Sequence, residues 1–205
     1  MADTFYFGDY WPRPAVGQTF TLDYGTGADG LNLKSVYSNS GDDKVFLIDD
    51  YHGGQWRDQW VINYYHERGV LETADLYPKK SYQFWVDKRT TAFQSGYEIP
   101  WGGTQKIGDV IDQELRISFW KSTFFEFPTT GRQVVKFVNR YANFTTADGK
   151  NQYRDVLEVT YDQTFGDKTA GNRGWYAKDY GLIQLTWRSN GNDVGNPMVA
   201  TVSFT

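Results

Sequence analysis

The chain has 205 residues, a formal net charge of −4, no cysteine, and an aromatic complement of eight Trp, fifteen Tyr and fourteen Phe. The missing cysteines exclude disulfides and thiolate metal sites, and the acidic balance argues against nucleic acid as a partner, since phosphates require a basic field. No stretch approaches the roughly 20 consecutive apolar residues of a membrane-spanning helix, so no membrane span is expected. The opening Met-Ala-Asp-Thr-Phe-Tyr-Phe lacks the charged start and apolar run of a secretory leader. An extracellular or virion-associated location is compatible with these features but is not dictated by them.

In chain order, the first segment is aromatic and punctuated. Phe5, Tyr6, Phe7, Tyr10 and Trp11 lead into Pro12 and Pro14, which forbid a helix and favour an extended connector. Period-two alternation predicts strands over 18–24 and 31–37, joined by the glycine-rich stretch 25–30. A further pair, 44–51 and 59–66, flanks a loop at 52–58 that holds Gly53, Gly54 and Trp56. Strands over 69–77 and 81–87 follow, separated by Pro78. The least regular region is 89–112, containing Pro100, Trp101, Gly102 and Gly103; within and just beyond it, 107–115 comes nearest to helical spacing. Leu115, Ile117 and Phe119 restore alternation. Residues 128–131 read as a turn, 133–144 as a strand ended by the Asp148-Gly149 hairpin signal, and 197–204 as the last strand.

The clearest alternation lies between these last two strands. Leu157, Val159, Tyr161 and Phe165 alternate with Glu158, Thr160, Asp162 and Thr164. After a loop at 166–174, Ile183, Leu185 and Trp187 alternate with Gln184, Thr186 and Arg188, with Gly181 at a bend or bulge. The expectation is an antiparallel pair of 153–165 with the strand ending at Arg188, burying Leu157, Val159, Ile183, Leu185 and Trp187. The runs Tyr-Arg-Asp-Val-Leu-Glu-Val and Trp-Tyr-Ala-Lys-Asp-Tyr-Gly-Leu-Ile-Gln-Leu in this segment resemble the last strands of small all-β bacterial lipoproteins and secreted proteins of unassigned role. Asp179 and Tyr180 stand where that pattern carries Gly and Val. The resemblance implies strand architecture and no activity. The fold class expected for the whole is all-β: one domain, 1–205, forming an antiparallel sandwich, open barrel or strongly curved sheet of about ten to thirteen strands with at most one short helix.

The chemical motifs are sparse. Gly25-Thr-Gly-Ala-Asp-Gly30 matches a dinucleotide fingerprint in letters, but a strand-like run follows where a helix is needed, and Asp29 would repel phosphate. It reads as a hairpin loop. His52 and His66 lie among acids, at a spacing that matches no metal-ligand pattern; neither metal nor cofactor is implied. There is no Gly-x-Ser-x-Gly elbow and no cysteine nucleophile. Glu98, Asp109, Asp112 and Glu114 surround the irregular stretch with Trp101 and are the acids a glycosidase or lyase would use there.

What stands out is where the tryptophans fall. Trp56 and Trp101 sit beside glycine pairs, where the backbone can turn and project an indole outward, and Trp85 and Trp120 share strand faces with polar residues. Exposed indoles mark contact surfaces and stack on sugar rings. The leading expectation is therefore a non-catalytic recognition module for a glycan or cell-surface polysaccharide. Its ligand-binding residues would be Trp56, Trp101, Trp85 and Trp120, with Gln55, Asp58 and Glu98 as polar contacts. Trp56 and Trp101 would be exposed on one concave surface. The competing expectations are an assembly component such as a bacteriophage virion protein, with homo-oligomeric or virion partners, and the carboxylate-based enzyme.

Overall fold

The computed structural model of the chain describes residues 4–26, 30–42, 45–65, 69–77, 91–94, 99–122 and 125–205. β1 (Thr4–Tyr6) runs into a 3-10 turn, Phe7–Tyr10, and is followed by β2 (Thr19–Thr26), β3 (Asn32–Asp42), β4 (Val45–His52), β5 (Gln55–Tyr65) and β6 (Gly69–Tyr77). Three short strands come next: β7 (Thr91–Gln94), β8 (Ile99–Gly102) and β9 (Thr104–Lys106). Four long ones follow: β10 (Val110–Ser122), β11 (Phe125–Thr145), β12 (Gln152–Phe165) and β13 (Lys168–Ala177). β14 (Gly181–Ser189), β15 (Asn192–Val199) and β16 (Thr201–Phe204) end the chain. The protein is all-β, as the alternation predicts. The described residues hold sixteen strands; those without an expected counterpart are β1, β7, β8 and β9, of three or four residues and too short to show alternation, together with β13 and most of β15.

One antiparallel sheet contains every strand except β1 and β9, which pair with each other. Its order is β15-β14-β13-β12-β11-β10-β7-β6-β5-β4-β3-β2-β16, with β8 also beside β6. The two ends of that order are consecutive in sequence and are joined through Ala200 alone. The buried Ala200 donates its amide to the Ile183 carbonyl at 2.8 Å, and the next residue, Thr201, pairs with Asp23. A single extended segment thus leaves β14 and joins β2, so the sheet curls until its ends share a strand. The Tyr24 hydroxyl crosses the same seam to the Leu182 carbonyl at 2.8 Å. Curling of this kind covers the edge that β2 would otherwise present.

The inner face of the curl holds the main core, including Phe20 and Leu22 of β2, Ile48 of β4, Ile62 of β5, and Leu157 and Val159 of β12. The N-terminal aromatics fill one end of it. Phe5, Phe7, Tyr10 and Trp11 are all buried, and Phe7 stands edge-on to Phe137 and Tyr176, with centroids 5.2 Å away in each case. Asp155 anchors this segment, accepting the Tyr10 hydroxyl at 2.8 Å and both arms of the Arg140 guanidinium at 2.7 and 2.9 Å.

Several expectations are corrected. Residues 153–165 do not pair with the strand ending at Arg188, because β13 lies between them and occupies the expected loop. The glycines that disguised it are a packing requirement: a Cβ on Gly171 would lie 1.8 Å from the Tyr161 carbonyl oxygen. Residues 128–131 are not a turn; β11 runs through them, and Pro128 pairs with Ser118. That proline sits before Arg132, where the pairing with β12 begins, so its missing N–H interrupts no pairing on that side. The window 107–115 holds a turn and the start of β10, not a helix. Trp56 lies in β5, the intervening loop being only Gly53-Gly54. The strand expected over 81–87 lies outside the described residues. Leu157, Val159, Ile183 and Leu185 are buried as expected, although Ile183 belongs to a second cluster with Val156 and Ala177, next to a register shift opposite Trp175 and Tyr176. Trp187 is 44% exposed.

Candidate functional site

A cavity of about 400 Å³ opens inside the curl. Its first wall is built from adjacent strands in register: Leu22, Ser35, Asp50 and Asp58 stand opposite one another across β2, β3, β4 and β5, and the next row carries Phe20, Tyr37, Ile48 and Trp60. The facing wall is the row Tyr161, Asn172 and Trp187 across β12, β13 and β14. Asn172, Ala170 and Gly171 are small, which leaves open volume between Phe165 and Trp187. Trp11, Trp101 and Tyr176 line the end filled by the N-terminal segment. Trp187 therefore has the inward direction expected of it, but at the rim.

Aromatic rings order this space. Trp101 is sandwiched between Trp60 and Tyr161, with centroids 5.7 and 4.3 Å away and planes inclined by 25° in both pairs. Trp11 meets Trp101 edge-on at 5.8 Å and stacks on Tyr176 at 6.1 Å. Burial pushes the Tyr176 and Tyr24 hydroxyls well above their ordinary range, so both are uncharged.

Two carboxylates share the first wall. Asp58 is 7% exposed, and Asp50 lies directly opposite it and accepts the Ser35 hydroxyl at 2.5 Å. Burial raises the Asp50 pKa to about 7; the Ser35 hydrogen bond opposes that rise and the neighbouring Asp58 charge adds to it. Burial raises Asp58 to about 6 against the pull of Arg57. Arg57 reaches Asp58 Oδ2 only at 3.7 Å, with a side chain 54% exposed. Arg188, also on the lining, is held by Asp162 at 3.1 Å and Asp193 at 2.8 Å.

Four buried polar atoms of residues on this lining have no hydrogen-bond partner among the described residues: the indole nitrogens of Trp11 and Trp60, Asp58 Oδ1 and Asn172 Oδ1. Two are donors and two are acceptors. Buried polar groups are nearly always paired, so four such atoms on residues lining one cavity single it out as the candidate site.

Of the residues expected from sequence, Asp58 and Trp101 line the cavity. Trp101 is only 2% exposed, not displayed on a surface as expected, because β8 beside β6 carries it into the core. Trp56 and Gln55 do not join it. A bulge at Arg57 reverses the parity of β5, so Trp56 pairs with Tyr51 and its indole donates to Asp49 at 2.7 Å, away from the cavity. Trp85 and Glu98 lie outside the described residues, and of Trp120 only the backbone, in β10, is described. Among the other acids, the exposed Asp112 is engaged by both arms of Arg132, and Asp109 caps the turn at the Lys106 amide, 3.0 Å away. The strands on either side of the stretch 25–30, β2 and β3, pair antiparallel up to Thr26 and Asn32; residues 27–29 lie outside the described residues.

Asp50, Trp60 and Asn172 escaped the sequence reading. For Asp50 a signal was present: it shares parity with Phe46 and Ile48, a charge on the apolar face of its strand. No known family, curated protein or solved structure matches this chain.

Proposed function

We propose that the protein is a non-catalytic recognition module that takes a saccharide into the aromatic cavity. The observation that carries this reading is the mixture of unpartnered donors and acceptors on an indole-rich lining. A hydroxyl both donates and accepts, so a polyol matches both kinds of unpartnered group, and ring surface at the Trp187 rim suits its C–H faces. A purely apolar ligand leaves every orphan unpaired. The volume, about 400 Å³, falls within the range of small-molecule sites and suits a short glycan or the end of a longer one.

Glycan-array screening with the intact chain tests the reading, with tryptophan fluorescence as a second readout. Retention of a saccharide together with a spectral shift is expected. A chain that retains none, and instead assembles into symmetric multimers, favours the virion-type assembly reading.

A further inference from the structure

The two carboxylates of the first wall narrow the ligand class. Directly opposed like charges destabilise a sheet, and here the pair is Asp50 and Asp58, on the face that lines the cavity. Ser35 serves one oxygen of Asp50, Arg57 stands 3.7 Å from Asp58 Oδ2, and Asp58 Oδ1 has no hydrogen-bond partner among the described residues. Trp11, itself 6% exposed, lines the same cavity, and its buried indole N–H, without a hydrogen-bond partner among the described residues, calls independently for a hydroxyl or other acceptor.

We propose that the saccharide carries a free amine and that its ammonium group lodges between Asp50 and Asp58; this rests on the carbohydrate reading above. An ammonium offers three donors and no acceptor, so it can serve Asp58 Oδ1 and a free oxygen of Asp50 together. It also removes the repulsion between them. A hydroxyl at that position brings one donor and no charge, and an acetamide brings one donor with added bulk.

The other charged groups leave this role open. Arg188 is neutralised by Asp162 and Asp193, and Arg57 holds its charge largely in solvent. Asp49 turns to the opposite face, where Trp56 and Gln59 donate to it, and Tyr24 and Tyr176 are uncharged. Arg57, which also lines the cavity, comes no nearer than 3.7 Å to Asp58 Oδ2, so Asp58 Oδ1 is left without a partner among the described residues.

The test is a glycan array in which each glycan is present with a hydroxyl, an acetamide or a free amine at the same carbon. It is followed by calorimetric titration of the best-retained trio at about 1 M salt, where the screening length of about 3 Å suppresses attraction to the acidic surface. The free-amine member is expected to bind at least about tenfold more tightly than its two counterparts. Asp58→Asn, and separately Asp50→Asn, should reduce that preference to below about twofold. Equal binding of the three, or preference for the hydroxyl form, overturns the amine proposal and leaves the carbohydrate reading standing. Retention of no glycan overturns that reading and this one with it. The wild-type ranking decides the matter even where a variant fails to fold.

Discussion

Asp50 and Asp58 link the cavity to stability through a definite sign. Burial holds both above the ordinary carboxyl value of 3.8, at about 7 and about 6. Between 3.8 and those values the folded chain retains protons that the unfolded chain releases, so the pair's contribution falls as pH rises through that window. Asp155, Asp112 and Asp148, lowered chiefly by their hydrogen bonds to Arg140, Arg132 and Thr146 respectively, act in the opposite sense and below 3.8. Asp58→Asn is therefore expected to raise the melting temperature at pH 7.5 and to flatten its decline from pH 5. A lower melting temperature at pH 7.5, with the slope intact, would show that the fold prefers Asp58 ionised. Two apolar substitutions probe depth at the same scale. Leu185→Ala should cost about 2–5 kcal/mol, the range for a buried leucine, in chemical denaturation. Trp187→Ala, at the exposed rim, should cost less than about 1 kcal/mol while weakening saccharide binding at least about tenfold. A large stability loss at Trp187 with unaltered binding would remove it from the site.

The strands show what alternation conveys and what it conceals. β2 to β6 and β12 are legible because their apolar residues recur at every second position over most of a strand. β13 is not: Lys168 to Arg173 contains no large apolar residue, since its inner positions Ala170 and Asn172 border open cavity. The same small residues that leave the cavity open thus erase the strand's signature. Parity also fails wherever a bulge intervenes. Arg57 displaces Trp56 to the other face, so counting by twos from Trp60 misplaces that indole. Trp101 is misread for a related reason: its flanking Pro100 and Gly102-Gly103 suggest a surface loop, although Gly102 is needed for close packing against Phe137 and Phe7. Amide exchange distinguishes strand from loop in β13. Residues 169–173 should exchange as slowly as the centre of β12, and rapid exchange would restore the loop. Gly171→Ala should then cost about 1–3 kcal/mol or more as an overpacking substitution, because the added carbon would meet backbone, which has little freedom to move.

At the scale of the molecule, the curl depends on its last six residues. β16 pairs with β2 from Thr201–Asp23 to Phe204–Phe20, and the Thr19 and Thr205 backbones exchange hydrogen bonds of 2.7 and 3.0 Å. The Phe204 ring, itself exposed, meets Phe20 edge-on at 4.8 Å. Removing residues 200–205 takes away both the bridging Ala200 and the cover on β2, leaving a row of unpaired N–H and C=O groups along that edge. Such an edge is a template for pairing with another copy. The shortened chain is expected to keep a strand-dominated spectrum, to melt more than about 5 °C lower, and to self-associate in light scattering. The proposed saccharide binding should also fall, because Tyr24 and Leu182 form the seam and line the cavity together. A monomeric product with unchanged melting and binding would mean that β2 and β14 hold their positions without the shared strand, and closure of the sheet would then have no part in shaping the site.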